Sequence, residues 1–289
     1  MSDAALRCLI VESEPPQARA ERERSVGCTS AKTYADVLRA ITPCECDEVR
    51  PADTEAVSLP GGSLEGYDAV FMTGSPLHLY QDTPQTRRQI AFMRAVFASG
   101  TPAFGSCAGL QVATVAAGGT VRRNARGREV AFARRLSPTE AGRDHPLLRD
   151  RPNVFDAPAI HTDEVETLPD GATLLATNRV TEVQAAEIKH EGGIFWGVQY
   201  HPELSLAEVA AALRRQADDL IQEGLAVDDE DVEAQAGLIE ALHRSPERRD
   251  LAWRLGLDEE ITVPGRRSRE LKNFIECLVR PTRSTRGRA

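Results

Sequence analysis

Cys107 lies between two glycines, Gly105 and Gly109, at the point where a short apolar segment ends and a helical pattern begins. A nucleophile that projects from a tight strand-to-helix turn requires glycine two positions away on either side, because a Cβ atom there would collide with neighbouring backbone. The helix that begins at Ala108 directs the positive end of its dipole towards the sulfur and favours the thiolate. The segment therefore predicts a nucleophile elbow built around a thiol, rather than a buried structural cysteine.

A second segment with catalytic potential, His201-Pro-Glu203, follows an apolar strand pattern. A thiolate nucleophile needs a base that takes and returns a proton, and a carboxylate that orients the base. His201 meets the first requirement because imidazole titrates near neutral pH, and Glu203 can hold the ring in the productive tautomer. A lone histidine is more often a packing residue. The tripeptide therefore indicates a catalytic role only in combination with the cysteine turn. Together the three residues predict a Cys-His-Glu triad.

A third segment, Gly74 and Ser75, follows a predicted buried strand at residues 68–73 and precedes Pro76. The carboxyl ends of strands line the binding crevice of a doubly wound sheet, which places this turn near the cysteine. The backbone N–H of Gly74 or Ser75, with that of Ala108, is expected to form an oxyanion hole. Without the other two segments, an ordinary turn would explain the same residues equally well.

Strand and helix patterns alternate over the first part of the chain. The predicted strands are Leu6–Val11, 68–73 and 101–104, and the predicted helices are 34–40 and 87–99. This alternation indicates right-handed crossovers, so we expect an α/β fold with a doubly wound, mostly parallel open sheet and helices on both faces. A small antiparallel β portion is predicted at 154–160, 172–176, 181–189 and 194–200. Helices are predicted to follow at 204–223, 228–243, 249–257 and 269–279.

The composition restricts the class of protein. The chain has 289 residues and a net charge of -9, so no positive field attracts nucleic acid or an anionic membrane. Apolar runs are too short for a transmembrane helix, and the N-terminus has no signal-peptide pattern. We therefore expect a soluble cytoplasmic protein whose six cysteines are reduced. Cys44 and Cys46 have one residue between them and no second pair nearby, so neither a metal site nor a cofactor is expected.

These motifs resemble those of the class I, or triad-type, glutamine amidotransferases. The similarity runs over residues 5–203 and is greatest to the amidotransferase domain of GMP synthetases. It rests on these segments: Gly105-Ser-Cys107-Ala-Gly109-Leu-Gln111, Gly197-Val-Gln-Tyr-His201-Pro-Glu203, Gly74-Ser-Pro76, His161-Thr-Asp163-Glu-Val165, Leu168-Pro169 and Gln184-Ala185. The resemblance implies a flavodoxin-like amidotransferase fold and attack of Cys107 on a γ-carboxamide through a γ-glutamyl thioester. It also implies that Gln111, His161 and Tyr200 bind the substrate.

The chain divides into three predicted regions. An amidotransferase domain is expected at residues 1–222, a helical C-terminal extension at 223–280 and a disordered tail at 281–289. The residues after Glu203 are too few for a synthetase domain and contain no glycine-rich phosphate loop. The extension has apolar faces, and Trp253 is predicted to lie in its core. Either it caps the α/β core, or it is a docking surface for a partner enzyme or a second copy of the chain.

The sequence leaves three functions open, and in the first two the substrate is a small molecule. The triad can hydrolyse γ-glutamyl conjugates of an amine or peptide without a synthetase, which the missing synthetase domain and the small Ala108 favour. It can equally serve a glutaminase subunit that passes ammonia to a separate synthetase. An inactive regulatory or binding module, the third alternative, is less consistent with an intact triad. His78 and Tyr80 are expected at the mouth of the pocket.

Overall fold

A mixed sheet forms the centre of the computed structural model, which describes residues 5–54 and 57–286. The strands of the described residues are β1 Leu6–Val11, β2 Cys44–Val49, β3 Ala69–Met72, β4 Ala103–Ser106, β5 Thr120–Arg123, β6 Phe132–Pro138, β7 Phe155–Pro158, β8 Asp163–Thr167, β9 Ala172–Thr177, β10 Ala185–His190 and β11 Gly193–Val198. Nine of them form one sheet in the order β2-β1-β3-β4-β11-β10-β9-β6-β7, and β5 pairs with β8 in a separate small sheet.

The sheet has a parallel half and an antiparallel half. Strands β2, β1, β3, β4 and β11 are parallel to their neighbours, as the alternation of strands and helices predicts. Strand β11 also pairs with β10 in the antiparallel direction, and β9, β6 and β7 continue that pattern to the other edge. The fold class is thus confirmed. Strand β10 begins at Ala185, later than the segment 181–189 predicts, because Asn178 caps a turn by accepting from the N–H groups of Val180 and Thr181.

Helices cover both faces of the sheet. Their bounds are α1 Pro16–Val26, α2 Ser30–Ile41, α3 Pro84–Ser99, α4 Ala108–Ala116, α5 Glu140–Asp144, α6 Leu206–Arg215, α7 Ala217–Gln222, α8 Asp229–Arg244, α9 Arg249–Leu255, α10 Glu259–Thr262, α11 Pro264–Arg267, α12 Arg269–Phe274 and α13 Arg280–Thr285, with a π-helical turn at Ile275–Val279 and 3-10 turns at Leu64–Gly66 and Pro146–Leu148. Within residues 5–54 and 57–286, none of these helices combines the length and apolar character needed to cross a membrane.

Two apolar cores lie on opposite faces of the sheet, and strand alternation assigns residues to each. On β1, Leu9 and Val11 face the core that contains Met93 of α3, whereas Ile10 faces the core that contains Tyr34 of α2. The alternation of apolar runs with helical segments in the sequence reflects this arrangement, since a strand covered on both faces must be apolar on both.

The C-terminal helices contribute to two cores. Helix α8 packs against α6 in a third apolar cluster that includes Val209 and Ile239. Helix α12 and the π-helical turn return to the central sheet, where Phe274 lies in the same core as Tyr34. The predicted burial of Trp253 is wrong: its side chain is 82% exposed, because α9 buries Leu251 and Leu255, two positions away on the opposite face.

The structure describes residues 281–286 of the predicted tail. Helix α13 extends over most of this segment, and Arg286 donates hydrogen bonds to the carbonyl of Tyr67 (3.2 Å) and the hydroxyl of Thr101 (2.9 Å). These contacts join the tail to the segments that precede β3 and β4. Residues 287–289 lie outside the described residues. The domain boundary between 222 and 223 stays a prediction.

Candidate active site

Cys107 lies at the turn between β4 and α4, with a backbone φ of 52° that L-residues seldom adopt. Its N–H donates to the carbonyl of Val198 on β11 (2.8 Å), which fixes the turn to the central sheet. A Cβ atom on Gly105 would come within 2.9 Å of Gly109, and one on Gly109 within 2.7 Å of the Met72 carbonyl oxygen. The two glycines therefore permit the close backbone contacts that hold the cysteine in this strained conformation.

His201 and Glu203 follow β11 and lie beside Cys107. The imidazole Nδ1 is 2.7 Å from Glu203 Oε1. Burial by itself would lower the pKa of His201, but the Glu203 charge, the hydrogen bond to Glu203 and the influence of the Cys107 side chain outweigh it and raise the pKa to about 10. The environment therefore favours the imidazolium at neutral pH, which can act as a proton donor.

Two hydroxyl groups that sequence reasoning missed support Glu203. Ser106 Oγ donates to Glu203 Oε2 (2.8 Å), and the Tyr34 hydroxyl is hydrogen-bonded to Ser106. Tyr34 and Ser106 are fully buried, so these bonds are shielded from water. A polar serine in an otherwise apolar strand was an available signal for Ser106. Tyr34 had none, because it is distant in sequence and lies within an ordinary helical pattern.

The predicted oxyanion turn lies against the other site residues. A Cβ atom on Gly74 would be 2.8 Å from His201 Cε1 and 3.7 Å from Cys107 Cβ. Ser75 lines the space next to Cys107, and Ala108 is the first residue of α4, where helical N–H groups have no intrahelical acceptor. The geometry is thus suitable for an oxyanion hole. The Ala108 side chain is buried in the core and lines neither of the two cavities beside Cys107. The space next to the sulfur is therefore formed by other residues.

Two cavities meet at Cys107. The first, termed the His201 cavity, has a volume of about 250 Å³ and is lined by Glu14, Arg22, Ser30, His201 and Arg215 among others. The second, termed the Gln111 cavity, has a volume of about 610 Å³ and is lined by Gln111, Arg123, Arg128, His161 and Asp163 among others. The residues that line both cavities include Cys107, Ser75, Pro76 and Ile160. A substrate can therefore extend from one cavity across the sulfur into the other.

The Gln111 cavity contains two of the predicted substrate-binding residues. The Gln111 amide donates to the Asp163 carbonyl (3.2 Å), and His161 lies between that carbonyl and Glu129 (2.9 and 3.0 Å). His78 bonds to the Asp163 carboxylate (2.6 Å), which places it at the edge of this cavity. Arg123, Arg128 and Asp163 were not identified from the sequence. Arg123 and Arg128 are both ion-paired with Glu223, and Asp163 is paired with His78.

Tyr200 is not brought to either cavity. Its side chain is fully buried, its hydroxyl donates to Glu270 (2.8 Å), and its ring meets the Phe155 ring edge-on. Tyr200 lies just beyond β11, in the same apolar core as Trp196 and Val198. The expected substrate contact of Tyr200 therefore disagrees with its position. Within residues 5–54 and 57–286, no group of three or more His, Cys, Asp or Glu side chains is arranged to hold a metal ion.

The comparison with protein families shows which family the chain belongs to. Residues 33–217, more than half of the chain, match the family model described as glutamine amidotransferase class-I. The chain belongs to the class I glutamine amidotransferase family. The family resemblance, the fold class and the enzyme class predicted from the motifs are thereby confirmed. The cysteine elbow around Cys107 lies within the matched residues.

Two curated relatives represent different kinds of amidotransferase. The chain is 42% identical over 224 residues to a γ-glutamyl-L-1-hydroxyisopropylamide hydrolase from Pseudomonas sp., covering 76% of the chain and 75% of the relative. It is 35% identical over 107 residues to a glutamine-hydrolyzing GMP synthase subunit from Methanocaldococcus jannaschii, covering 37% of the chain and 53% of the relative. The chain therefore shares more of its length with the amide hydrolase.

A solved amidotransferase structure has the same fold. The crystal structure of a glutamine amidotransferase from Thermotoga maritima aligns with a TM-score of 0.60 at 20% sequence identity. The alignment covers 85% of this chain and 98% of that chain. It therefore extends beyond the 1–222 region, into the segment that the sequence assigned to a C-terminal extension.

Proposed function

We propose that this amidotransferase hydrolyses the γ-glutamyl amide bond of a conjugate between glutamate and a small amine. Cys107 is the nucleophile, His201 the acid and base, and Glu203 the orienting carboxylate. The observation that carries the proposal is the position of Cys107 between two cavities, of which the smaller measures about 250 Å³ and is also lined by His201. A single water occupies about 10–15 Å³ on a comparable scale, and ammonia is of similar size. The space thus exceeds what ammonia requires.

The reaction proceeds in two balanced steps. The Cys107 thiolate attacks the γ-carbonyl carbon, and the resulting oxyanion is stabilised by N–H groups of Gly74 or Ser75 and Ala108. The C–N bond then breaks, and the proton held by His201 moves to the departing nitrogen, which leaves as the amine. Water next attacks the γ-glutamyl thioester while the neutral imidazole accepts its proton. Glutamate departs, and the thiolate and imidazolium are restored.

The similarity to the γ-glutamyl-L-1-hydroxyisopropylamide hydrolase supports this proposal, since that relative is named for hydrolysis of a γ-glutamyl amide. A second candidate is a glutaminase subunit that delivers ammonia to a synthetase partner. Its support is the similarity to the GMP synthase subunit, which covers 37% of the chain. The two candidates use the same triad and differ in the leaving group.

Turnover by the purified chain alone distinguishes the two candidates. We expect kcat/KM for a γ-glutamyl isopropylamide to exceed that for glutamine by about tenfold or more, because the amine gains contacts in the His201 cavity. Glutamate release measured by a coupled assay reports both reactions. Hydrolysis of glutamine only, and only after a synthetase is added, would contradict the proposed function and support the glutaminase subunit.

A further inference from the structure

Three cysteines outside the active site lie on one face of the central sheet. Cys44 and Cys46 are two positions apart on β2, so their side chains point to the same side of that strand. Cys8 lies opposite Cys46 in the register between β1 and β2. Cys8 is buried in the core that contains Tyr34, and the other two cysteines pack against this core. None of the three takes part in the proposed amide hydrolysis, so the cluster is free for a separate chemistry.

The thiols of Cys44 and Cys46 are in direct contact. Their sulfur atoms are 3.7 Å apart, which is within hydrogen-bonding distance for sulfur. Both residues are partly exposed, whereas Cys8 is 1% exposed. The Cys44–Cys46 pair is therefore accessible to a small solute, and Cys8 is shielded from it.

Cys44 is the more nucleophilic member of the pair. The hydrogen-bonded Cys46 thiol lowers the pKa of Cys44 well below that of a free thiol, and the charge of Arg39 acts in the same direction. The same contact raises the pKa of Cys46. At neutral pH the pair therefore consists of a thiolate at Cys44 and a thiol at Cys46. The thiolate is the form that reacts with oxidants.

A disulfide between the two residues is within reach of the strand geometry. Two positions along a strand span about 6.6 Å, and Cα atoms joined by a disulfide are usually about 4.4–6.8 Å apart. Strand β2 is the edge strand of the nine-stranded sheet, so its backbone can adjust as the sulfur atoms approach each other. A bridge near the upper limit is strained, and strained bridges are easily reduced. We therefore expect the bond to be reversible.

We propose that Cys44 and Cys46 are a redox-active pair that a hydroperoxide oxidises to a disulfide, with Cys44 as the attacking residue and Cys46 as the resolving residue. The Cys44 thiolate attacks a peroxide oxygen, the O–O bond breaks, and the released oxygen takes up a proton and leaves as water or an alcohol. The Cys46 sulfur then attacks the Cys44 sulfenic acid, whose S–O bond breaks, and the hydroxide leaves as water with the Cys46 proton. The sulfurs lose two electrons and the peroxide gains them, and a thiol reductant reverses the change.

Hydrogen peroxide tests the proposal on the full chain. Trypsin releases residues 40–87 as a peptide whose cysteines are Cys44 and Cys46 alone, so oxidation of Cys107 does not affect the result. After brief treatment with a small excess of peroxide and alkylation of free thiols, we expect this peptide to have lost two hydrogen atoms and to carry no alkyl group. Dithiothreitol added before the alkylation is expected to restore two alkylated thiols.

The internal control is Cys28, which is also partly exposed and whose sulfur is 3.7 Å from the Thr33 hydroxyl oxygen. We expect the 40–87 peptide to be oxidised at least about tenfold faster than Cys28, because its Cys44 sulfur is a thiolate. Oxidation of Cys28 at an equal rate would overturn the proposal. A peroxide-induced disulfide that joins Cys8 to either member of the pair would also overturn it.

Two serine variants separate the roles of the attacking and resolving residues. In Cys46→Ser, the sulfenic acid at Cys44 is expected to persist and to be trapped by dimedone, since its resolving thiol is absent. In Cys44→Ser, we expect the rate of Cys46 oxidation to fall to about that of Cys28. Circular dichroism checks that both variants are folded. A dimedone adduct on Cys46 in Cys44→Ser, with none on Cys44 in Cys46→Ser, would contradict the assigned roles.

Discussion

Glu203 connects His201 to the buried hydroxyl groups of Ser106 and Tyr34. One carboxylate oxygen bonds to the imidazole and the other accepts from Ser106, so both oxygens are fixed. A fixed carboxylate sets the tautomer of the neutral imidazole and stabilises the imidazolium. The pairing also makes folding sensitive to pH. Since the folded pKa of His201 is raised, its stabilising contribution is complete below about pH 6.5 and is lost as pH rises through about 10.

Replacing this carboxylate by an amide tests the arrangement. In Glu203→Gln we expect kcat to fall by about a hundredfold or more, because the amide favours the wrong imidazole tautomer. We also expect the pKa of His201 to fall by more than about one unit, since the opposing charge is removed. Amide hydrolysis and an NMR titration of the imidazole measure the two effects. An unchanged His201 titration in the variant would contradict the assigned pairing.

The sequence indicated those site residues that lie next to one another in the chain. The elbow around Cys107 and the His201-Pro-Glu203 segment were predicted with the correct neighbours, because local spacing encodes them. Tyr34 was missed, since its contact with Ser106 joins segments far apart in sequence. The resemblance implied a substrate contact for Tyr200, but in the structure its hydroxyl donates to Glu270 within the core, a contact between segments far apart in sequence.

At the scale of elements, the close approach of α4 to β3 positions the nucleophile. Gly109 lies against the Met72 carbonyl so tightly that a Cβ atom would be 2.7 Å from the oxygen. Backbone cannot yield as a flexible side chain can, so the steric cost is not easily relieved. The turn that carries Cys107 is thus fixed by packing between two elements as well as by its own conformation.

A pair of glycine substitutions separates this contact from general helix propensity. Gly109→Ala is expected to lower the free energy of unfolding by about 1–3 kcal/mol, because the methyl group overlaps Met72. Gly237→Ala in α8, where nothing lies within 4 Å, is expected to raise it by about 0.5–1 kcal/mol. Urea denaturation measures both. Equal stabilisation by the two substitutions would show that α4 does not pack this closely.

The positions of the strands were easier to predict from the sequence than the pairing between them. Buried strands such as β1 and β3 are short apolar runs bounded by breakers, which sequence alone reveals. Strand β11 was expected only in an antiparallel pair. Its parallel pairing with β4 joins the two halves of the sheet and is set by tertiary contacts, so periodicity carries no sign of it.

At the scale of the whole molecule, the segment predicted as an extension completes the central core. Phe274 on α12 meets the rings of Phe71, Phe104 and Trp196, with centroids 5.4–5.9 Å apart. The sheet face that holds these rings would otherwise be open to water. Amphipathic spacing indicated helices here, but it could not show which of them return to the sheet and which pack on α6.

Two aromatic substitutions in this region are expected to differ sharply. Phe274→Ala should lower the free energy of unfolding by about 3–5 kcal/mol, because a fully buried ring leaves a cavity. Trp253→Ala should change it by less than about 0.5 kcal/mol, since that side chain is 82% exposed. Thermal and urea unfolding measure both. A small effect at Phe274 would indicate that the C-terminal helices fold independently of the sheet.

The most direct test of the account is the fate of Cys107 during turnover of a γ-glutamyl isopropylamide. Acid quenching followed by intact mass spectrometry is expected to show one γ-glutamyl group on the unmodified enzyme, located on the peptide that contains Cys107. Cys107→Ala is expected to carry no adduct and to lose at least about a thousandfold in kcat. Turnover by Cys107→Ala within tenfold of the unmodified enzyme, or an adduct on another residue, would contradict covalent catalysis at this site.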